Sequence, residues 1–272
     1  VNQGETLTEA AIRQQHVSVS LAKRRGFVYD CNGEPLNYET GYGAALVEPS
    51  LCYDKPLALR MLSVYAAMSR EEAEERLSGT ASFGVELRRA DITAPGFTIV
   101  ERVAEVTKPL AIHMVEGIES SYADYLSGMG GEVYASLQRT AAGYALPEGE
   151  SRLVEGDYYK PGGVLLTTDA RMQKIVEECW PGGSGAVVLM ETETGKIRAA
   201  ASFPNYDKTE VASLLSSEGG ELYNRAIGNY NVGSVFKIIV AAQTIERGVK
   251  TPTLFCSGST TVEGRVFGCH KS

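Results

Sequence analysis

Hydrophobic and polar positions change their period several times along this chain. His16-Val17-Ser18-Val19-Ser20-Leu21 alternates polar and apolar, the period of a half-buried strand. Phe27-Val28-Tyr29 reads as a second strand, Asn32-Gly33 as a tight turn, and Gly41 to Val47 as a return strand. Residues 55–78 read as two helices. Pro56 opens the first, with Leu57, Leu59, Met61, Leu62 and Tyr65 as its apolar positions. Ser69-Arg70-Glu71-Glu72 is a capping box for the second, and Gly79 ends it. Asp91 to Thr107 holds one short element, strand or helix. Glu132 to Thr140 reads as a helix between loops at Met129-Gly130-Gly131 and Gly143 to Gly149.

The pattern shifts at Pro161-Gly162-Gly163, which sets a domain boundary near residue 160. Val164-Leu165-Leu166 is a short strand. Thr168 or Asp169 caps a helix that carries Met172, Ile175, Val176 and Cys179 on one face and stops at Pro181-Gly182-Gly183. Gly185 to Glu191 reads as a buried strand, Thr192 to Gly195 as its turn, and Lys196 to Ser202 as the antiparallel return. A run apolar on nearly every face follows Ser234 and ends at Gly248, which predicts a helix inside a large core. The expected class is α+β, with a sheet covered by helices in the second part.

Composition narrows the function. The chain has 272 residues, 43% of them apolar and 22% charged, as in an ordinary globular protein. A net charge of -8 and no basic stripe argue against a nucleic-acid partner. The purely apolar runs are too short to span a bilayer. Lys23-Arg24-Arg25 reads as a solvated face. The five cysteines include no Cys-x-x-Cys pair, which disfavours a zinc site. Cys256 and Cys269 are placed for either a disulfide or two buried thiols.

The candidate chemistry is Gly233-Ser234-Val235-Phe236-Lys237. Ser-x-x-Lys at a helix start puts the lysine one turn from the serine on the same face. A serine hydroxyl needs a neighbouring base to become a nucleophile. Burial lowers a lysine's pKa and fits it for that task. Free N–H groups at the helix start face a developing oxyanion. Ser234 is therefore the expected nucleophile and Lys237 the expected base. A second copy, Ser20-Leu21-Ala22-Lys23, lies on the predicted strand, where residues three apart point to opposite faces.

Taken in order, these residues resemble the class B penicillin-binding proteins, the peptidoglycan transpeptidases. Arg25-Gly26-Phe27-Val28-Tyr29-Asp30-Cys31-Asn32-Gly33 is similar to the family's Arg-Gly-x-Ile-x-Asp-Arg-Asn-Gly opening, with Cys31 in place of the arginine. Leu166-Thr167-Thr168-Asp169 with Gln173 resembles the start of the penicillin-binding domain, and Gly185 to Asp207 resembles its first hairpin, with Ala201-Ser202-Phe203-Pro204 at the end. Asn224-Arg225-Ala226 leads to the serine motif as in the family. Phe255-Cys256-Ser257-Gly258 through Cys269-His270 resembles the segment that follows. Val232 replaces the usual proline of Pro-Gly-Ser-x-x-Lys.

The resemblance implies a membrane-proximal pedestal (dimerisation-type) domain over residues 1–160 and the N-terminal part of a transpeptidase domain over 161–272. The chain has no Ser-x-Asn or Lys-Thr-Gly, the family's two later motifs, so the expected form is a truncated and inactive fragment with an apolar face uncovered beside the Ser234 helix. The implied partners are peptidoglycan stem peptides, β-lactams, other cell-wall synthesis proteins and, through an anchor upstream of Val1, the membrane. The implied location is the extracytoplasmic face of the bacterial cytoplasmic membrane, and the implied chemistry needs no metal or organic cofactor. The alternatives are a non-catalytic cell-wall assembly scaffold and a β-lactam sensor or β-lactamase. Ser-x-Asn and Lys-Thr-Gly downstream of Ser272 in the full reading frame would favour the enzyme.

Overall fold

A computed structural model describes residues 16–138, 152–250 and 255–269. The chain divides into two compact units, one up to Ile227 and one from Gly228. The first is built on two three-stranded antiparallel sheets. In one, β1 (His16–Arg24) pairs with β6 (Gly131–Gln138), which pairs with β7 (Arg152–Val154). In the other, β3 (Tyr38–Val47) lies between β4 (Phe83–Leu87) and β5 (Phe97–Glu105). The unbroken apolar run Ala44-Ala45-Leu46-Val47 follows from this central place, because β3 is covered on both faces. Ala44 and Leu46 pack with Leu21, Val133, Ala135 and Leu137 of the first sheet. Ala45 and Val47 pack on the other side against α1 (Lys55–Tyr65) and α2 (Arg70–Ser78), through Ala58, Leu62, Ala73 and Leu77.

Both helix starts are as expected. The Asp54 side chain accepts from the Leu57 N–H, with Pro56 in the first turn. Ser69 Oγ accepts from the Glu72 N–H. The return strand differs. It begins at Tyr38 and pairs with β4 and β5, not with the Phe27–Tyr29 strand. The uncertain element within 91–107 is β5. Glu132 to Thr140 is not a helix: β6 occupies it as far as Gln138, with Val133, Ala135 and Leu137 buried in alternation. The loop expected at Gly143 to Gly149 lies outside the described residues. Sequence reasoning also passed over β4, β7, α3 (Ile112–Ser121) and α4 (Ala123–Gly128).

β2 (Phe27–Tyr29) pairs in parallel with β8 (Gly163–Leu165). Their core joins Val28, Leu36, Val115 and Leu126 to Val164, Leu166 and Ala170. A Cβ on Gly163 would sit 1.9 Å from the Phe27 carbonyl oxygen, so the strands meet only because that residue is glycine. After β8 come α5 (Ala170–Glu178), the antiparallel hairpin of β9 (Gly185–Met190) and β10 (Ile197–Phe203), and the short α6 (Val211–Leu214). Two burial expectations fail here. Val188, Leu189 and Met190 of β9 are exposed. On α5, Met172, Ile175 and Cys179 are exposed, and the buried residue is Gln173, which bonds the Ala200 N–H and carbonyl and the Glu177 carboxylate. Contacts join the segments on either side of residue 160. The β2–β8 pair crosses it, and so does Lys208, which lies beyond β10. Its ammonium reaches Glu105, Glu116 and Glu119 at 2.8–3.0 Å. Burial opposes that charge, but the three carboxylates outweigh burial and hold the Lys208 pKa above its usual value.

Arg24 overturns the reading of Lys23-Arg24-Arg25 as a solvated face. Lys23 and Arg25 are exposed, whereas Arg24 is 4% exposed. Its guanidinium donates to the carbonyls of Tyr158 (2.7 Å), Lys160 (2.5 Å), Arg25 (3.1 Å) and Met129 (3.3 Å). It lies 4.4 Å from the Phe27 ring centroid and 5.5 Å from that of Tyr158. One side chain thus ties the end of β1 to the segments before β6 and β8. Arg24→Met removes every donor and leaves buried carbonyls unpaired. A destabilisation of about 3 kcal/mol or more is expected, read as a lower urea midpoint. Lys23→Met should change stability by less than about 0.5 kcal/mol. Equal effects from the two variants would show that Arg24 is not the tie.

Candidate active site

The serine motif lies in the unit that begins at Gly228. Ser234 sits in a short 3-10 turn, Gly233–Val235, that runs directly into α7 (Phe236–Glu246). Gly233 takes φ +50°, a left-handed conformation that suits glycine, so the entry to the turn depends on it. Val232 takes φ -66°, the value that a proline ring would impose. The backbone therefore keeps the shape of Pro-Gly-Ser-x-x-Lys although the proline is absent. Lys237 Nζ donates to Ser234 Oγ at 3.2 Å. The two residues expected to carry the chemistry are thus brought into contact by the local turn alone. At its far end α7 closes as predicted. Gly248, at φ +60°, donates to the Ile245 carbonyl and Val249 to that of Thr244, a paired termination that uses the last free carbonyls.

The helix does not lie inside the core that its apolar pattern predicted, and the apolar face expected to be uncovered beside Ser234 is exposed. Ser234 and Lys237 are exposed, and Phe236, Ile238, Ile239, Val240 and Ile245 are each more than half exposed. The helix is apolar on nearly every face but is not enclosed by its own unit. A hairpin of β11 (Ser259–Val262) and β12 (Arg265–Gly268) follows, also exposed. Cys256 and Cys269 are exposed rather than buried, and no disulfide joins them. Among the described residues no group of three or more His, Cys, Asp or Glu is placed to hold a metal ion.

The second Ser-x-x-Lys copy fails for a different reason from the one predicted. A bulge in β1 between Ser20 and Ala22 turns both Leu21 and Ala22 inward. Ser20 and Lys23 are consequently both exposed, not on opposite faces. No hydrogen bond joins them among the described residues.

The Asp30-Cys31-Asn32-Gly33 segment, read from the sequence as a turn within the Arg25–Gly33 resemblance, is a junction. The Asp30 carboxylate is buried and accepts from the Asn32 and Glu34 N–H groups, from Asn32 Nδ2 and, at 3.1 Å, from the Ala170 N–H at the start of α5. Burial pushes its pKa up, but these hydrogen bonds prevail and hold it low. Asp169 caps the same helix start through the Arg171 and Met172 N–H groups. The Arg171 guanidinium, with those N–H groups and Asn32, lowers its pKa to about 2.

The comparisons with known proteins agree with this geometry. The family model for the penicillin binding protein transpeptidase domain matches residues 185–272. The peptidoglycan D,D-transpeptidase MrdA of Escherichia coli strain K12 is 30% identical over 154 residues, covering 52% of this chain and 23% of that protein. PbpA of Mycobacterium tuberculosis, also a peptidoglycan D,D-transpeptidase, is 33% identical over 124 residues, covering 36% of this chain and 25% of that protein. The chain is therefore similar to the class B penicillin-binding proteins, with the transpeptidase match confined to residues 185–272. It spans about a quarter of the length of these curated relatives. Penicillin-binding protein structures share its fold at low identity. Penicillin Binding Protein 2X from Streptococcus thermophilus superposes with a TM-score of 0.53 at 16% identity, over 93% of this chain and 45% of that one. PBP2 from Helicobacter pylori gives 0.52 at 18%, over 94% and 58%. Among the described residues, no helix is long and apolar enough to cross a membrane.

The depressed carboxylate at the α5 start sets an acid limit. A group with a folded pKa near 2 and an ordinary value of 3.8 stabilises the fold fully above about pH 4 and loses that contribution as pH falls towards 2. Melting temperatures should therefore drop between pH 4 and pH 2. Asp169→Asn keeps a capping acceptor but cannot titrate, and should make the drop shallower. An unchanged slope in the variant would refute the assignment.

Proposed function

We propose that this chain comprises the pedestal, over residues 1–160, and the leading part of the transpeptidase domain, over 161–272, of an enzyme that cross-links peptidoglycan through a serine acyl-enzyme. The observation that carries the reading is the 3.2 Å contact between Lys237 Nζ and Ser234 Oγ, inside the segment matched by the transpeptidase family. Ser234 Oγ attacks the carbonyl of the penultimate D-Ala of a stem peptide while Lys237 takes its proton. The peptide bond breaks, and terminal D-Ala leaves as the protonated amine. An amine of a neighbouring stem then attacks the ester, forms the cross-link and frees Ser234. A β-lactam acylates the same oxygen. Lysine accepts a proton only when neutral, and burial is what favours that form. The reaction therefore needs cover over the Ser234 turn, which in the family comes with the Ser-x-Asn and Lys-Thr-Gly segments. The enzyme works at the extracytoplasmic face of the cytoplasmic membrane, held by an anchor upstream, beside other cell-wall synthesis proteins.

Intact-mass spectrometry after exposure to penicillin tests the reading. The 272-residue chain should take up little or no adduct, because removing members of a catalytic constellation costs on the order of 10³-fold or more in rate. A longer chain carrying Ser-x-Asn and Lys-Thr-Gly after Ser272 should gain one penicilloyl mass at Ser234. Ser234→Ala should abolish it, and Ser20→Ala should leave it unchanged. An adduct that survives Ser234→Ala, or none on the longer chain, would point to the scaffold instead.

A further inference from the structure

Side chains from β2, the end of β1 and the segment before β8 stack into one continuous ladder. Phe27 and Tyr29 lie on the same side of β2 with ring centroids 5.3 Å apart. The Arg24 guanidinium sits between Phe27 and Tyr158. Tyr159 meets Tyr158 edge to face at 5.1 Å. These residues line a cavity of about 320 Å³ together with Thr40, Gly41, Glu101 and Arg102. That volume is at the lower end of the range for small-ligand sites, ~300–1,000 Å³.

The rungs are held before any ligand arrives. Arg24 is fixed by its four carbonyl bonds. The Tyr158 hydroxyl accepts from the Val103 N–H, and the Tyr159 hydroxyl donates to the Glu101 carbonyl, each at 3.0 Å. These two bonds also blunt the open edge of β5. Edge protection needs only a polar atom, however, and leaves the aromatic lining of the cavity unexplained. Tyr159 remains 47% exposed despite its two contacts. A rigid aromatic surface of this kind binds without first losing side-chain freedom.

Charge selects the occupant. Arg102, also in the lining, is paired with Glu86 at 2.8 Å, so the Arg24 cation and the exposed Glu101 carboxylate are left to oppose a cationic and an anionic ligand respectively. A neutral molecule with one apolar face and a belt of hydroxyl donors meets both conditions. We propose that this cavity is a pyranose subsite for the glycan strand of peptidoglycan, with C–H groups of the sugar ring on Tyr29, Phe27 and Tyr159 and its hydroxyls donating to Glu101 and Thr40. The subsite is built within the unit that ends at Ile227 and uses no residue of the Ser234 turn. It rests on the transpeptidase reading only for the identity of the polymer.

The probe is a β-1,4-linked N-acetylglucosamine tetrasaccharide without stem peptide, added to the 272-residue chain and followed by saturation-transfer NMR. Transfer to the ring C–H protons is expected, with Kd on the order of 1 mM. Tyr159→Ala should weaken binding about tenfold or more, whereas Tyr159→Phe, which keeps the ring, should stay within about twofold. Ser234→Ala should bind as the parent does. No transfer at saturating saccharide, equal binding by Tyr159→Ala, or an octaproline peptide occupying these rings in place of the saccharide would each overturn the proposal. Saccharide binding alongside a failed penicillin test would sink the transpeptidase reading alone.

Discussion

A buried positive charge is tolerated only when its surroundings supply acceptors on every side. Arg24 meets that condition with main-chain carbonyls and aromatic faces, and among the described residues no carboxylate is a hydrogen-bond partner. Carbonyls belong to the backbone, so the side chain fixes chain paths and not merely side-chain positions. Three segments far apart in sequence must converge before the guanidinium is satisfied. The close approach of Gly163 to Phe27 and the parallel pairing of β2 with β8 lie immediately beyond that convergence. Much of the first unit is therefore arranged around a requirement that one arginine imposes.

The serine motif shows the opposite economy. Ser234 and Lys237 meet within one turn, so their geometry forms from local backbone angles at Val232 and Gly233. Basicity is not local in that sense, because a lysine's pKa depends on what excludes water around it. The contact is set by the turn alone, and the apolar surface of α7 beside it is exposed.

What could be read from the sequence divides on the same line. The caps at Ser69 and Asp169, the stop at Gly248 and the Ser234–Lys237 contact each depend on residues within about one turn, and each was legible. β6 was misread because Glu, Ala, Leu and Gln favour helix, although Val133, Ala135 and Leu137 alternate. Its partner β1 settles the matter from more than a hundred residues away. The bulge beside Ser20 left no local mark, and neither did the burial of Arg24, whose acceptors lie at 129, 158 and 160. Gln173 on α5 looked peripheral because its partners belong to β10.

Asp30 gives the start of α5 one of its acceptors across 140 positions of chain. A ribosome adding ~5–20 residues per second needs roughly 7–30 s to make that stretch. For that interval the Asp30 turn exists without its helix. A buried carboxylate short of one of its four donors is costly, so the turn stays solvated until Ala170 emerges. The segment that looks most like a compact local motif is, in the order of synthesis, among the last parts of the first unit to be completed.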